Sequence, residues 1–159
     1  MSLEKVKNYL ETVGLGGRVH ELSQTTATVE DAASAIGCRP EHIAKTMSFL
    51  LDEEPILIVT AGDAKIDNRK YKSCFHKKAK MIPWELVEQY TGHAPGGVCP
   101  FAVNPNVKVY LDISLKRFQT VYPAGGSGNS AVELSIEELD SCSNSSGWVD
   151  VCSNWIAEG

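Results

Sequence analysis

No stretch of the sequence approaches the eighteen or so consecutive apolar residues of a membrane span, and none of its five cysteines forms a C-x-x-C pair. The four histidines are scattered, so no zinc-ligand spacing emerges, and no metal or other cofactor is expected. An odd number of cysteines (Cys38, Cys74, Cys99, Cys142 and Cys152) suits reduced thiols better than a disulfide framework. The glycine-rich stretches lack the G-K-[ST] ending of a nucleotide-binding P-loop, and no H-E-x-x-H, Ser-His-Asp or paired-carboxylate arrangement is visible. The first eight residues carry Glu4, Lys5 and Lys7 with no apolar run behind them, which is not a secretory signal pattern. A cytoplasmic protein without a membrane anchor is the expectation.

What is present is globular in composition. Hydrophobic residues make up 43% and charged residues 22% of the 159, enough for one domain, expected to span 1–159, and too few for two ordinary ones. A net charge of −5 argues against a protein that grips long stretches of nucleic acid. The average conceals an asymmetry. Residues 65–80 hold seven Lys or Arg against Asp67 alone, a net of +6, which leaves −11 on the remainder. Such a run is either a solvated face or a phosphate-binding edge, and Tyr71, Phe75 and His76 among the cations suit the latter.

Leu3, Val6, Tyr9, Leu10 and Val13 recur at helical spacing until Gly14, Gly16 and Gly17 stop the run. A short strand is expected over 18–22. Thr28 reads as the N-cap of a second helix, with Asp31 three residues on and Gly37 past its end. Residues 43–51 and 56–60 read as a central hairpin, and the unbroken apolar character of its second strand predicts burial on both faces. A helix is expected to start near Asp67, and another over 84–90 with Pro83 at its first position. After a Gly/Pro loop at 91–100, strands are expected over 107–112, 118–122 and 131–134. Ser135 and Glu138 form a capping box for a last helix, and 148–151 adds an edge strand. The whole reads as one mixed α/β domain without repeats.

Three segments carry chemistry. In I-A-K-T-M-S-F (43–49), Lys45 sits between apolar neighbours and would share a strand face with Met47, so it must snorkel or find a partner, unless it is a plain edge-strand lysine. In G-H-A-P-G-G-V-C-P (92–100), paired glycines between prolines present bare amides that can approach a ligand or a developing oxyanion, unless the segment is an ordinary turn. In Y-P-A-G-G-S-G-N-S (122–130), glycines and small polar residues again present backbone. Cys99 is a tempting nucleophile with His93 nearby, but a pair six residues apart in one loop has no special geometric warrant, and free Cys is often simply buried.

With I-A-K-T-M (43–47), G-D-A-K-I-D (62–67), T-G-H-A-P-G-G-V-C-P-F (91–101), T-V-Y-P-A-G-G (120–126) and V-E-L (132–134) in this order, the chain resembles the YbaK/ProX family of aminoacyl-tRNA deacylases, related to the editing domain of bacterial prolyl-tRNA synthetases. The resemblance covers about residues 17–140. It implies a single α/β domain with a curved mixed β-sheet surrounded by helices, and hydrolysis of the ester joining a wrong amino acid to the tRNA 3′ end. The family lysine corresponds to Lys45. The substrate-binding positions implied are Thr46, then Gly96, Gly97, Val98 and Pro100 in the G-x-x-x-P loop, then Gly125 and Gly126. Water or the neighbouring ribose hydroxyl is the implied proton handler. The implied partner is mischarged tRNA, tRNA-Pro or a related one, through its 3′ end, with an aminoacyl-tRNA synthetase as a further partner. Cysteinyl-specific members carry a serine and an aspartate where Ala124 and Ala131 stand here, and alanyl-specific members tend to have an asparagine where Thr46 stands. A small amino acid other than cysteine is the expected cargo. Two competing readings are a non-catalytic binding module of the same fold and a Cys99-dependent thiol hydrolase.

Overall fold

A computed structural model describes residues 2–155. In chain order the elements are α1 (Ser2–Thr12), β1 (Val19–Glu21), α2 (Val29–Ile36), β2 (Ile43–Leu51), β3 (Glu54–Ala61), β4 (Lys65–Ile66), α3 (Asn68–Phe75), α4 (Val87–Thr91), β5 (Lys108–Asp112), β6 (Thr120–Pro123), β7 (Ser130–Val132), β8 (Leu134–Ser135), α5 (Ile136–Cys142), β9 (Trp148–Val149) and β10 (Cys152–Ser153). Six strands form a mixed sheet in the order β8-β6-β2-β3-β5-β9, and β1–β7 and β4–β10 make two small antiparallel ribbons. This is the expected α/β architecture of a mixed sheet with helices around it.

The sheet is organised by the β2–β3 hairpin. Asp52 and Glu53 both take positive φ (51° and 67°), the conformation whose twist suits a two-residue hairpin turn. The register then runs from Leu51 opposite Glu54 to Ala44 opposite Ala61. β3 is buried from Pro55 to Ala61 because it lies between β2 and the parallel β5 and is covered on both faces. Its side chains anchor the main core with Val6, Leu10, Tyr71, Phe101, Leu111 and Leu139.

Local chemistry fixes the helix ends as expected. The Thr28 side chain accepts from the Asp31 amide, and Gly37 ends α2 with φ 86°. Asp67 caps α3 through the amides of Arg69 and Lys70. The Ser135–Glu138 capping box of α5 is complete, and Arg18 adds a bidentate pair to Glu138 at 2.8 and 3.0 Å.

Two elements depart from the sequence reading. The strand expected over 131–134 is two strands: β7 pairs with β1, a ladder that the Glu133 amide continues to the Arg18 carbonyl, and the chain then changes partner at Leu134, where β8 pairs with β6. Pro83 is the N-cap of a 3-10 turn over Trp84–Leu86, and the α-helix starts only at Val87, where the chain again has a buried side chain to aim inward. Among the described residues no helix is long and apolar enough to cross a membrane.

Candidate active site

β2 has two edges. Residues 44–51 pair with β3 along one of them. The other edge is paired discontinuously. Ile43 and Ala44 pair with Tyr122 and Pro123 of β6, in parallel. Further along, Phe49 bridges Met81, with the Leu50 amide donating to the Lys80 carbonyl (2.8 Å) and the Ile82 amide to the Ser48 carbonyl (3.1 Å). Between these stretches, residues 45–47 have no strand beside them on this edge among the described residues. Backbone groups alternate sides along a strand, so the Thr46 N–H and C=O face this gap, on the same edge as those of Ala44, Ser48 and Leu50.

A cavity of about 270 Å³ fills the gap. Its walls are Ile43–Met47 of β2, the Thr26–Thr28 segment before α2 with Val29 and Ala32 of that helix, Gly96 and Val98, and residues 122–124 with Ser130 and Ala131. The lining is mostly apolar. The Thr46 Oγ1 is buried with no hydrogen-bond partner among the described residues, the condition of a polar group that a bound molecule would satisfy. Ser130 and Thr26, by contrast, are already engaged. The Ser130 hydroxyl accepts from the Gly125 amide (3.1 Å), and the Thr26 hydroxyl donates to the Ser130 carbonyl (2.9 Å).

Lys45 is half-buried, and burial pulls its pKa below the ordinary lysine range. The charge of Lys65 acts in the same direction, whereas Cys152, Asp63 and Glu30 oppose it. Asp63 is itself clamped by Arg117, whose Nη1 donates to its Oδ2 at 2.9 Å. Burial alone would raise the Asp63 pKa, but the Arg117 hydrogen bonds and charge hold it below the usual range. A fixed carboxylate therefore accompanies the lysine.

Of the residues singled out from the sequence, Lys45, Thr46, Gly96 and Val98 line the cavity. Gly97, Pro100, Gly125 and Gly126 do not, and three of these four hold the walls together. A Cβ on Gly97 would lie 2.7 Å from the Gly126 carbonyl carbon, so the two glycine-rich loops touch backbone to backbone. A Cβ on Gly126 would lie 2.8 Å from the Ser2 carbonyl oxygen of α1. The Gly97 amide already donates to the Ala94 carbonyl (3.0 Å) and the Gly125 amide to Ser130, so neither is an unoccupied donor. Lining residues that the sequence reading did not place at the site are Thr26, Ala27, Thr28, Val29 and Ala32. Thr28 was legible only as a helix cap, and that capping role hid its second position on a cavity wall.

Cys99 is fully buried and its thiol is pushed up to about 12 by burial. Its Sγ lies 3.6 Å from His93 Nε2, but that nitrogen is 2.7 Å from the Phe101 carbonyl, to which an N–H there donates. Burial pulls the His93 pKa down, which keeps the ring neutral. The pair ties the base of the 92–101 loop together as a buried neutral thiol and a neutral imidazole, which is not the exposed thiolate that nucleophilic catalysis requires.

Residues 23–142 match a family described as the aminoacyl-tRNA editing domain. The chain is 50% identical over 157 residues to the uncharacterised protein YwhH of Bacillus subtilis, covering 98% of this chain and 99% of YwhH. It is 28% identical over 92 residues to the proline–tRNA ligase of Bacillus licheniformis, covering 56% of this chain but only 16% of the ligase. A crystal structure described provisionally as a trans-editing enzyme for prolyl-tRNA synthetase superposes with a TM-score of 0.85 at 29% identity, over 99% of this chain and 98% of that one.

Proposed function

We propose, from the premise that this chain belongs to the aminoacyl-tRNA editing domain family, that it is a hydrolase that removes a small wrong amino acid from mischarged tRNA at the β2 gap. The observation that carries this reading is the gap itself: an apolar cavity in which one cation and one unpaired strand peptide meet. A volume of about 270 Å³ suits the end of an aminoacyl ester. Likeness to the structure described as a trans-editing enzyme supports action in trans.

In this reading water attacks the ester carbonyl carbon. The bond from that carbon to the ribose oxygen breaks, and the ribose oxygen leaves with a proton. The Thr46 amide and the Lys45 ammonium stand where charge develops on the carbonyl oxygen, and a preorganised donor of this kind is worth about 10²–10³ in rate. The Thr46 hydroxyl, lacking a partner, hydrogen-bonds a polar atom of the aminoacyl group. Ala124 and Ala131 add no polar group to the wall, so alanyl, seryl and threonyl esters are accepted, tRNA-Pro or a related tRNA carries them, and a synthetase delivers them. The setting is the cytoplasm, where aminoacyl-tRNA is consumed.

The test is deacylation of alanyl-, seryl-, threonyl- and cysteinyl-tRNA built on one tRNA body. Turnover of a small ester, reduced at least about tenfold in Lys45→Ala, is the expected result, a loss of roughly 1.4 kcal/mol of transition-state stabilisation. Binding without turnover of any ester would make the protein a non-catalytic module. A hundredfold preference for the cysteinyl ester would refute the role given to Ala124 and Ala131.

A further inference from the structure

Four large apolar side chains are exposed among the described residues: Val13, Met81, Trp84 and Leu86. Three of them fall within six consecutive positions, with Trp84 75% exposed and Met81 58%. Single exposed apolar residues need no explanation, but a cluster around an uncovered tryptophan marks a contact surface.

Its place in the fold is specific. Residues 80–82 run antiparallel to 48–50 of β2, so the chain heads toward Thr46 as it leaves Ile82. Past Ile82 the ladder stops, and the chain turns away from β2 into the 3-10 turn over Trp84–Leu86. Trp84 therefore lies within roughly 10 Å of the level of Thr46, at about 3.3 Å per extended residue. Ile82 packs with Leu50 and Val87 in a cluster that also touches Val98, a wall of the cavity. The segment that carries the ridge thus shares its packing with one wall of the cavity.

The chain that approaches the ridge is mostly basic. The basic segment 65–80 leads directly into the ridge. Within it, Lys77 and Lys80 pair with Asp52 and Glu53 at the hairpin turn, and Lys70 with Asp150. Arg69, Lys72 and Lys78 instead surround a second hollow of about 410 Å³ with Asn68 and Ala79. An exposed aromatic face preceded by clustered cations is complementary to a single strand with splayed bases and charged phosphates.

We propose that Trp84, flanked by Met81 and Leu86, is the stacking platform for the unpaired nucleotide that precedes the terminal one at the tRNA 3′ end, with Arg69, Lys72 and Lys78 meeting phosphates beyond it. The proposal rests on the cavity being the aminoacyl-ester site. Stacking accepts any base, so the platform holds the strand in register without reading its sequence.

The experiment compares wild type, Trp84→Ala and Trp84→Phe on aminoacyl-tRNA and on the aminoacyl ester of adenosine alone. Trp84→Ala should raise KM for aminoacyl-tRNA roughly tenfold with kcat nearly unchanged. Trp84→Phe should recover most of that loss, and the defect should shrink to less than twofold on the adenosine ester. Independently of turnover, a short C-C-A oligonucleotide should quench the fluorescence of wild type more than that of Trp84→Phe. Equal losses on both esters, or unchanged KM and quenching, would overturn the proposal. So would Trp84-dependent self-association with unaltered tRNA kinetics, which assigns the ridge to a second copy of the chain. Wild type that turns over neither ester but shows the Trp84-dependent quench would sink the hydrolase reading and leave the platform standing.

Discussion

A single methyl group at Gly97 tests how the cavity is closed. In Gly97→Ala the new carbon would lie 2.7 Å from the Gly126 carbonyl carbon and the Ser127 nitrogen, and 2.8 Å from the Ser127 Cα. Carbon atoms rest near 3.5–4.0 Å, so the loops must part by about 1 Å. All three obstructing atoms are backbone, and no rotamer change relieves them. Nor is the opposing loop free to yield. The Leu22 amide holds the Asn129 carbonyl (2.7 Å), the Thr26 amide holds the Gly128 carbonyl (2.7 Å), and Gly126 backs onto α1. Overpacking of this kind costs about 1–3 kcal/mol. For a chain of this length that lowers Tm by roughly 3–10 °C. Single-turnover deacylation, measured well below the transition, should fall as well, because Gly96 and Val98 on either side of Gly97 form one wall of the cavity. Gly128→Ala is the matched control, since a Cβ there meets nothing within 4 Å. Melting of Gly97→Ala within a degree of Gly128→Ala would refute the loop contact and the account of the cavity built on it.

The rate advantage of wild type over Lys45→Ala should shrink as pH rises, with a midpoint below the ordinary lysine range, because burial lowers this pKa and only the charged form assists. Lys45→Arg, if active, should lack that limb, and a pH-independent ratio would remove the ammonium from the mechanism. Cys99→Ala should keep kcat within about twofold while losing roughly 1–2 kcal/mol of stability in denaturant titration, since the thiol is buried packing; abolished turnover in a folded variant would restore the thiol hydrolase. Reversing Lys72 and Lys78 to Glu should raise KM for aminoacyl-tRNA and flatten its log–log salt slope by about 1–2, whereas an unaltered slope returns these residues to a solvated face.

Much of this fold was legible because its signals are local. The Thr28 and Ser135 caps, the hairpin turn after residue 51 and the unbroken apolar strand that follows each act within a few residues. The parallel pairings of β3 with β5 and β2 with β6 were not legible, since nothing within either strand names a partner some fifty to eighty residues away. The same division runs through the site. Lys45 stood out as a charge in an apolar strand. The gap that gives it a setting is defined by what β6 and residues 80–82 leave unpaired, a property of three distant segments at once. Gly97 looked like a residue that admits substrate because sequence shows only that a side chain is absent. The structure supplies what occupies that space, and it is another loop.

The family match begins at residue 23, yet α1 lies wholly before it. Lys5 and the Ser2 hydroxyl reach the Gly92 carbonyl at 3.1 and 3.2 Å, and the Ser2 carbonyl backs Gly126. One helix thus braces both glycine-rich loops from behind. β1, also outside the match, supplies the partner strand of β7, and β9 and β10 follow the match at its other end. A fragment trimmed to 23–142 would keep every cavity-lining residue and lose the buttress that sets their spacing. It would leave Val6 and Leu10 missing from the core and an uncovered seam where α1 had been. Similarity boundaries here outline the cavity, while the elements that brace it lie outside them at both ends.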